Sequence, residues 1–128
     1  MDIGRTRSIR ITSQTNIQYN RKKNLAKNGV TTIIPLISPY RDTRAIARKE
    51  IPTFLEVWVK ASVDECIKRD PKGLYKKAQA GEIKNLTGLQ APYEHPENPE
   101  LIVDTEKYSI DESIELIKNK VKELGYLK

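Results

Sequence analysis

Residues 54–69 read FLEVWVKASVDECIKR, an apolar run that is followed closely by a helix-start signal. The first six letters are rich in β-branched and aromatic side chains, which favours a strand over residues 54–59. Ser62 and Glu65 have the spacing of a capping box and predict a helix that runs to about Arg69. A strand followed by a helix is the repeating unit of a layered α/β fold.

Further strand and helix signals flank this unit. Residues 30–37 (VTTIIPLI) predict a buried parallel strand, although Pro35 cannot donate to a ladder. Residues 101–103 predict a shorter strand. The other predicted helices are residues 16–28, residues 42–50 capped by Asp42, residues 74–80 ended by Gly81, and an amphipathic helix after a second capping box at Ser109 and Glu112. Together they predict an α/β fold with a mostly parallel sheet, whose ligands bind beyond the C-terminal ends of the strands.

The composition is that of one ordinary domain. The 128 residues are 38% hydrophobic and 31% charged. No apolar run approaches the roughly 18 residues of a membrane span, and the first ten residues lack the apolar core of a secretory signal.

Cys66 is the single cysteine and His95 the single histidine, which excludes an internal disulfide and a multi-cysteine or His-rich metal site. We expect Cys66 to be a small buried residue, His95 a surface residue, and the protein to be cytoplasmic with no membrane partner.

The net charge of +6 is concentrated at the N-terminus. Residues 1–24 carry six of the 23 cations and one of the 17 anions, so they hold five of the six net charges. Basic arms can bind nucleic acid, but this one has few aromatic residues on which bases could stack. We therefore expect a solvated basic arm over residues 1–24 and no nucleic-acid partner.

Two segments can carry chemistry. Residues 69–77 (RDPKGLYKK) place four cations around a proline and a glycine, as in a loop that closes over phosphates; an arginine there can also stack on a purine. A solvated charged turn is the alternative interpretation, and the pattern alone favours it. Residues 37–41 (ISPYR) end the predicted strand, so Ser38 either faces a ligand or belongs to a simple turn.

Three runs resemble adenylylsulfate kinases. They are LISPYRDTRAIARKEI at 36–51, FLEVWVKASVDECIKRD at 54–70 and RDPKGLYKKAQAGEIKNLTGLQAPYEHPENPELIVDT at 69–105. The resemblance covers residues 25–128 and leaves residues 1–24 outside. It implies a P-loop nucleotide kinase-like fold and transfer of the γ-phosphoryl group of ATP, with Mg²⁺, to the 3′-hydroxyl of adenylyl sulfate. The product would be 3′-phosphoadenylyl sulfate, which serves sulfate assimilation.

The resemblance also assigns site residues. It implies that Ile37, Ser38 and Lys72 bind adenylyl sulfate and that Arg69 packs on the adenine of ATP. Ser38 further matches a serine that is often designated a phosphoserine intermediate, a role that a direct in-line transfer does not need.

Two residues depart from the family pattern within the matched region. Asn85 and Leu86 stand where the family usually has Gly-Phe, whose phenylalanine stacks on the substrate adenine. Leu86 keeps apolar contact but has no π face, which predicts weaker substrate binding by about 1 kcal/mol.

The larger departure is the missing phosphate-binding motif. The 128 residues contain no G-x-x-x-x-G-K-[ST] and no Gly-Lys pair, so the phosphate cradle and the Mg²⁺-binding hydroxyl of that motif are absent. The family's Asp-Gly-Asp stretch and the arginine-rich segment after it are missing as well.

We therefore expect a domain that is incomplete at its N-terminus and inactive or weakly active alone. The alternatives are a non-catalytic nucleotide-binding or regulatory module and the remnant of a truncated gene. A homodimer and a fusion with ATP sulfurylase both stay open.

Overall fold

The computed structural model describes residues 24–51 and 53–126. Residues 24–27 are helical and precede six named elements. These are α1 (Arg41–Glu50), β1 (Val57–Lys60), α2 (Val63–Arg69), α3 (Leu74–Gln79), β2 (Leu101–Asp104) and α4 (Ile110–Glu123). The chain divides into two compact units, of which the first ends at Phe54 and the second begins at Leu55.

In the first unit, the helical residues 24–27 end as the sequence predicts. The backbone N–H of Val30 donates to the carbonyl of Leu25 over 3.1 Å, and that of Gly29 donates to Ala26 over 3.0 Å. This pair of bonds is a Schellman motif, which needs a left-handed residue, and Gly29 has a φ of +77°. The predicted start of this helix, residues 16–23, lies outside the described residues.

The strand predicted over residues 30–37 is wrong. This segment has no strand conformation, and Ile33 and Ile37 expose 87% and 66% of their surfaces. A buried parallel strand requires hydrogen-bonded neighbours and covered faces. No described residue forms a ladder with this segment, so its apolar character alone does not produce a strand.

Helix α1 ends at the predicted residue, Glu50, but begins earlier than predicted and has a different cap. The N-cap residue is Tyr40, which makes no side-chain cap, and the helix begins at Arg41. Asp42 lies in the first turn, where its carboxylate accepts the backbone N–H of Thr43 over 2.6 Å. The Asp42 cap is therefore wrong, although the carboxylate still lies at the positive end of the helix dipole.

The second unit contains a two-stranded parallel sheet. Strand β1 pairs with β2 in a register that places Val57 opposite Leu101 and Lys60 opposite Asp104. The first strand therefore begins and ends later than the predicted residues 54–59. Val103 is 1% exposed and is the most deeply buried apolar residue of this unit among the described positions. The predicted parallel pairing is confirmed for these two strands.

The helices of the second unit follow their local start signals. At α4 the capping box is complete, since Ser109 Oγ accepts the backbone N–H of Glu112 over 3.2 Å and Glu112 Oε2 accepts that of Ser109 over 2.8 Å. The apolar stripe of α4 remains largely open: no described residue of this helix is buried, and Ile110 exposes 80% of its surface. Within the described part of the chain, no helix is long and apolar enough to cross a membrane.

Candidate functional site

Ser38 occupies a buried and conformationally unusual position in the first unit. Its φ is +41°, a region that residues other than glycine seldom adopt. Only 8% of its surface is exposed, whereas the neighbouring Ile37 is exposed. Such outliers persist where surrounding structure holds them, and they cluster at functional sites. The conformation and the burial make Ser38 a candidate for a functional role.

Arg44 on α1 holds the backbone of Ser38. Its Nη1 donates to the Ser38 carbonyl, and Arg44 is itself buried. The residue spacing alone gives Arg44 no role. In the structure Arg44 lies between Thr43 and Ala47 on the buried face of α1, where a charged side chain is unusual without partners.

In the second unit, Arg69 lies in a network of hydrogen bonds at the C-terminal end of β2. Its Nε donates to Glu65 Oε1 over 2.8 Å, while Nη1 and Nη2 donate to the hydroxyl and the carbonyl of Thr105, each over 2.9 Å. Thr105 directly follows β2. Its backbone N–H and its hydroxyl both donate to the carbonyl of Lys60, the last residue of β1, over 2.9 and 3.0 Å. We call Glu65, Arg69 and Thr105 the Arg69 clamp.

The position of the clamp suits a ligand site. Parallel sheets bind ligands beyond the C-terminal ends of their strands, and the clamp lies at that edge of the β1–β2 pair. The bonds fix the orientation of the guanidinium plane, while 42% of the Arg69 side chain remains exposed. A planar cation held in this way can stack on an aromatic ring.

The acidic member of the clamp is held in its charged form. The hydrogen bond from Arg69 lowers the pKa of Glu65. Partial burial opposes this effect, and the positive charges of Lys68 and Arg69 add to it. Glu65 also explains a departure from the predicted capping box. Ser62 Oγ accepts the Glu65 N–H over 3.2 Å, but the Glu65 carboxylate turns to Arg69, and the Ser62 N–H donates to Glu106 instead over 2.6 Å.

Asp70 shapes the turn that carries Lys72. Its carboxylate accepts the backbone N–H groups of Tyr75 and Lys76 over 3.1 and 3.0 Å, at the start of α3. Its carbonyl accepts the N–H of Gly73, which adopts a left-handed φ of +63°. Lys72 lies exposed within this closed turn. The sequence predicts the break in the helix at Asp70-Pro71, but not the double bond from the aspartate to the next helix.

Asn85 and Leu86 lie in a loop that is tied to α3. Asn85 has a φ of +64°, which explains why glycine is usual there and why asparagine is an acceptable replacement. The carbonyl of Leu86 accepts the N–H groups of Leu89, Gln90 and Ala91. The Gln90 side chain accepts the Leu86 N–H over 3.0 Å and donates to the Ala78 carbonyl over 3.4 Å. The loop with Leu86 is thereby fixed to the helix that follows Lys72.

The predicted site residues fall into both units. Ile37 and Ser38 belong to the first unit. The second unit contains Arg69, Lys72, Asn85 and Leu86. Thr105 and Asp70 are the residues of the second unit that the sequence reasoning missed as site components.

Cys66 and His95 are the single cysteine and the single histidine of the chain. Cys66 is half-buried, not fully buried as expected. Burial of Tyr75 and the neighbouring Cys66 thiol raise the pKa of the Tyr75 hydroxyl. His95 is exposed, as expected, and its ring lies 5.0 Å from that of Trp58 and 5.7 Å from that of Tyr93, centroid to centroid.

The described residues do not fit a Mg²⁺ site built by the protein. Across residues 24–51 and 53–126, no group of three or more His, Cys, Asp or Glu side chains could hold a metal ion. The sequence also lacks the hydroxyl of the G-x-x-x-x-G-K-[ST] motif.

Comparison with known proteins decides the family. The family model of adenylylsulphate kinase matches residues 1–104. The chain belongs to the adenylylsulphate kinase family. The matched range begins at residue 1, ahead of residue 25 where the resemblance in the sequence starts.

Relatives of this family share sequence and fold with the chain. A protein named a probable adenylyl-sulfate kinase from Pyrococcus abyssi is 56% identical over 105 residues, which are 82% of this chain and 60% of that protein. The adenylyl-sulfate kinase of Picosynechococcus sp. is 48% identical over 103 residues, 80% of this chain and 58% of that protein. The chain thus spans about 60% of the length of these curated relatives.

A solved structure supports the fold. The Mycobacterium tuberculosis APS kinase CysC, solved in complex with AMPPNP and APS, superposes with a TM-score of 0.72 at 34% identity. The superposition covers 82% of this chain and 66% of that one. The predicted α/β fold of the P-loop nucleotide kinase type is confirmed.

Proposed function

We propose that this chain supplies the nucleotide-binding and substrate-binding part of an adenylylsulfate kinase. The reaction transfers the γ-phosphoryl group of ATP to the 3′-hydroxyl of adenylyl sulfate. The observation that carries the proposal is the Arg69 clamp, which presents a fixed and partly exposed guanidinium at the C-terminal ends of two parallel strands.

The two nucleotides have separate binding residues in this proposal. Arg69 stacks on the adenine of ATP, whereas Lys72 meets the anionic groups of adenylyl sulfate from its closed turn. Ile37 and Ser38 bind adenylyl sulfate from the first unit. Leu86 takes the adenine of adenylyl sulfate by apolar contact alone. The bound complex of the M. tuberculosis relative, with AMPPNP and APS, supports two nucleotide ligands for the family.

Ser38 acts as a binding residue in this proposal. In a direct in-line transfer, the 3′-oxygen of adenylyl sulfate attacks the γ-phosphorus as the bond to the ADP oxygen breaks, so no phosphoserine forms. The bond from Arg44 fixes the backbone of Ser38 and not its hydroxyl. We expect Ser38→Ala to keep most of the adenylyl sulfate affinity in calorimetry. A loss of more than about tenfold would assign the hydroxyl itself to binding.

The 128-residue chain should have little or no transferase activity alone. Phosphoryl transfer depends on positioning and on charge neutralisation around the phosphates, and the motif that supplies both in this fold is absent from the sequence. A coupled assay with ATP, Mg²⁺ and adenylyl sulfate measures this directly. Turnover comparable with that of the longer relatives would show that other residues take over the role of the motif.

A non-catalytic nucleotide-binding module is the second candidate function. It is favoured by the Arg69 clamp and the Lys72 turn, which are held by hydrogen bonds although the motif is absent. Calorimetry with ADP, adenylyl sulfate and 3′-phosphoadenylyl sulfate tests it. Binding without turnover supports the module, and no heat with any of the three at millimolar concentration rejects both candidates.

A further inference from the structure

We propose that Thr105 is a positioning residue that holds the guanidinium plane of Arg69 parallel to a nucleotide base. This inference rests on the proposed nucleotide-binding function of Arg69. Thr105 contacts Arg69 with two oxygens, the hydroxyl and the carbonyl, both at 2.9 Å. On the other side, Glu65 accepts from Nε at 2.8 Å.

These bonds determine what Arg69 can recognise. An arginine binds a phosphate through two parallel N–H···O hydrogen bonds, which come either from Nη1 and Nη2 or from Nε and one Nη. Thr105 occupies the first pair, and Glu65 occupies the Nε of the second. The flat face of the guanidinium is left for a ligand, which favours an aromatic base over a phosphate.

Thr105 connects the guanidinium plane of Arg69 to the parallel strands. Its hydroxyl accepts from Arg69 and donates to the Lys60 carbonyl, so one oxygen connects the arginine to the end of β1. The orientation of the guanidinium therefore follows the geometry of the paired strands. A mobile arginine would lose rotational freedom on binding the base, and this clamp has already restricted that freedom.

Thr105→Val isolates this role without removing the strand pairing. Valine has nearly the same shape, and the residue 105 N–H can still donate to the Lys60 carbonyl, as it does here over 2.9 Å. The residue 105 carbonyl still accepts from Nη2. Only the hydroxyl connection is lost, so we expect the variant to fold, which circular dichroism and a thermal melt will check.

The experiment is calorimetric titration of the full 128-residue chain with ADP and, separately, with inorganic tripolyphosphate. We expect Thr105→Val to weaken ADP binding about three- to tenfold, which corresponds to the loss of one hydrogen bond of ordinary net strength. Thr105→Ser keeps the hydroxyl and should restore most of the affinity. Thr53→Val, at an exposed threonine outside the clamp, is the matched control. Any affinity for tripolyphosphate should be unchanged in all variants.

A double-mutant cycle separates positioning from a general structural effect. If Thr105 acts through Arg69, Thr105→Val should cause no further loss of ADP affinity in an Arg69→Ala background. Equal ADP affinity of the wild type and Thr105→Val overturns this inference and leaves the proposed function standing. The inference is also overturned if Thr105→Val weakens ADP binding by the same factor in the Arg69→Ala background as in the wild type. No ADP binding by the wild type overturns the proposed function, and the inference with it.

Discussion

At the scale of single residues, the site depends on side chains that fix other groups in place. Asp70 shapes the Lys72 turn, Arg44 holds the backbone of Ser38, and Thr105 orients Arg69. The side chain of each of these residues forms a hydrogen bond with a backbone group. A substitution at such a residue should therefore change the geometry of binding more than the charge of the site.

Leu86 gives a direct test of the adenylyl sulfate site. Leu86→Phe adds a π face to a loop whose backbone is already fixed by Gln90 and by the three N–H groups that meet the Leu86 carbonyl. We expect adenylyl sulfate to bind about fivefold more tightly, since stacking on an aromatic side chain contributes about 1 kcal/mol or more per base. Calorimetry measures the change.

The control for this prediction is Leu89→Phe, at an exposed leucine of the same loop. It adds the same ring away from the proposed contact and should leave the affinity unchanged. An equal gain in adenylyl sulfate affinity in both variants, or no gain in either, would contradict a contact between Leu86 and the adenine of adenylyl sulfate.

Most of these side-chain contacts could not be predicted from the sequence. Arg69 and Thr105 are 36 positions apart, and no spacing rule pairs residues at that distance. Ser38 and Arg44 are close in the chain, but their bond depends on a positive φ at a serine, which composition does not reveal. The identities of Ile37, Ser38, Arg69, Lys72, Asn85 and Leu86 as site residues came from the family resemblance and stay predictions.

At the scale of elements, local signals predicted the helices well and the strands less well. Helix starts are set by residues within one turn, so the serines at 62 and 109 identified α2 and α4 correctly. A strand depends on partners that are distant in sequence. Residues 30–37 have the composition of a strand but no ladder among the described residues, and therefore remain irregular.

The cap of α4 should contribute measurably to stability. Ser109→Ala removes the hydroxyl that accepts the Glu112 N–H, and we expect the free energy of unfolding to fall by about 1 kcal/mol. Denaturant titration measures it. Ser113→Ala is the matched control in the same helix: Ser113 lies in the helix interior, where alanine is the better helix former, so this change should be neutral or slightly stabilising. Equal losses would contradict a specific capping role.

The acid sensitivity of α2 and α4 follows from their glutamates. The bond from Arg69 lowers the pKa of Glu65, and the bonds from Ser109 lower the pKa of Glu112, each from an ordinary value of 4.5. A carboxylate with a lowered pKa in the folded state stabilises the fold above its ordinary pKa, and this stabilisation is lost as the pH falls through the folded-state value.

We therefore expect the melting temperature of the wild type to fall between pH 6 and pH 3 more steeply than that of a Glu65→Gln, Glu112→Gln double variant. Thermal melts across this range measure both slopes. Parallel slopes would mean that neither carboxylate loses a folded-state partner on protonation. Glu123→Gln, at an exposed glutamate in the last turn of α4, is the control.

At the scale of the whole molecule, the proposed ATP-binding residue Arg69 and the groups that hold it belong to one compact unit. The described partners of Arg69, Glu65 and Thr105, lie in the second unit, whereas Ser38 and Arg44 lie in the first. The sequence predicted a single α/β domain of the kinase family, and the family and fold class are confirmed. The division at Phe54 was not foreseen, because no proline- or glycine-rich linker marks it.

This division predicts different behaviour for the two nucleotides. A polypeptide of residues 55–128 retains Glu65, Arg69 and Thr105, so it should bind ADP within about threefold of the full chain, whereas its adenylyl sulfate affinity should fall at least about tenfold. Calorimetry on a sample shown by circular dichroism to be folded tests this. A parallel loss for both nucleotides would show that the first unit also supports the Arg69 clamp.

The contact between Trp58 and His95 has a practical consequence for all of these measurements. Trp58 is the single tryptophan of the chain, it lies on β1 beside the imidazole of His95, and the same strand ends at the carbonyl that Thr105 binds. Its fluorescence therefore comes from one known place, next to the strand end to which Arg69 is connected. The chain thus carries a built-in optical probe, and emission at the indole wavelength can follow nucleotide binding and strand order without any added label.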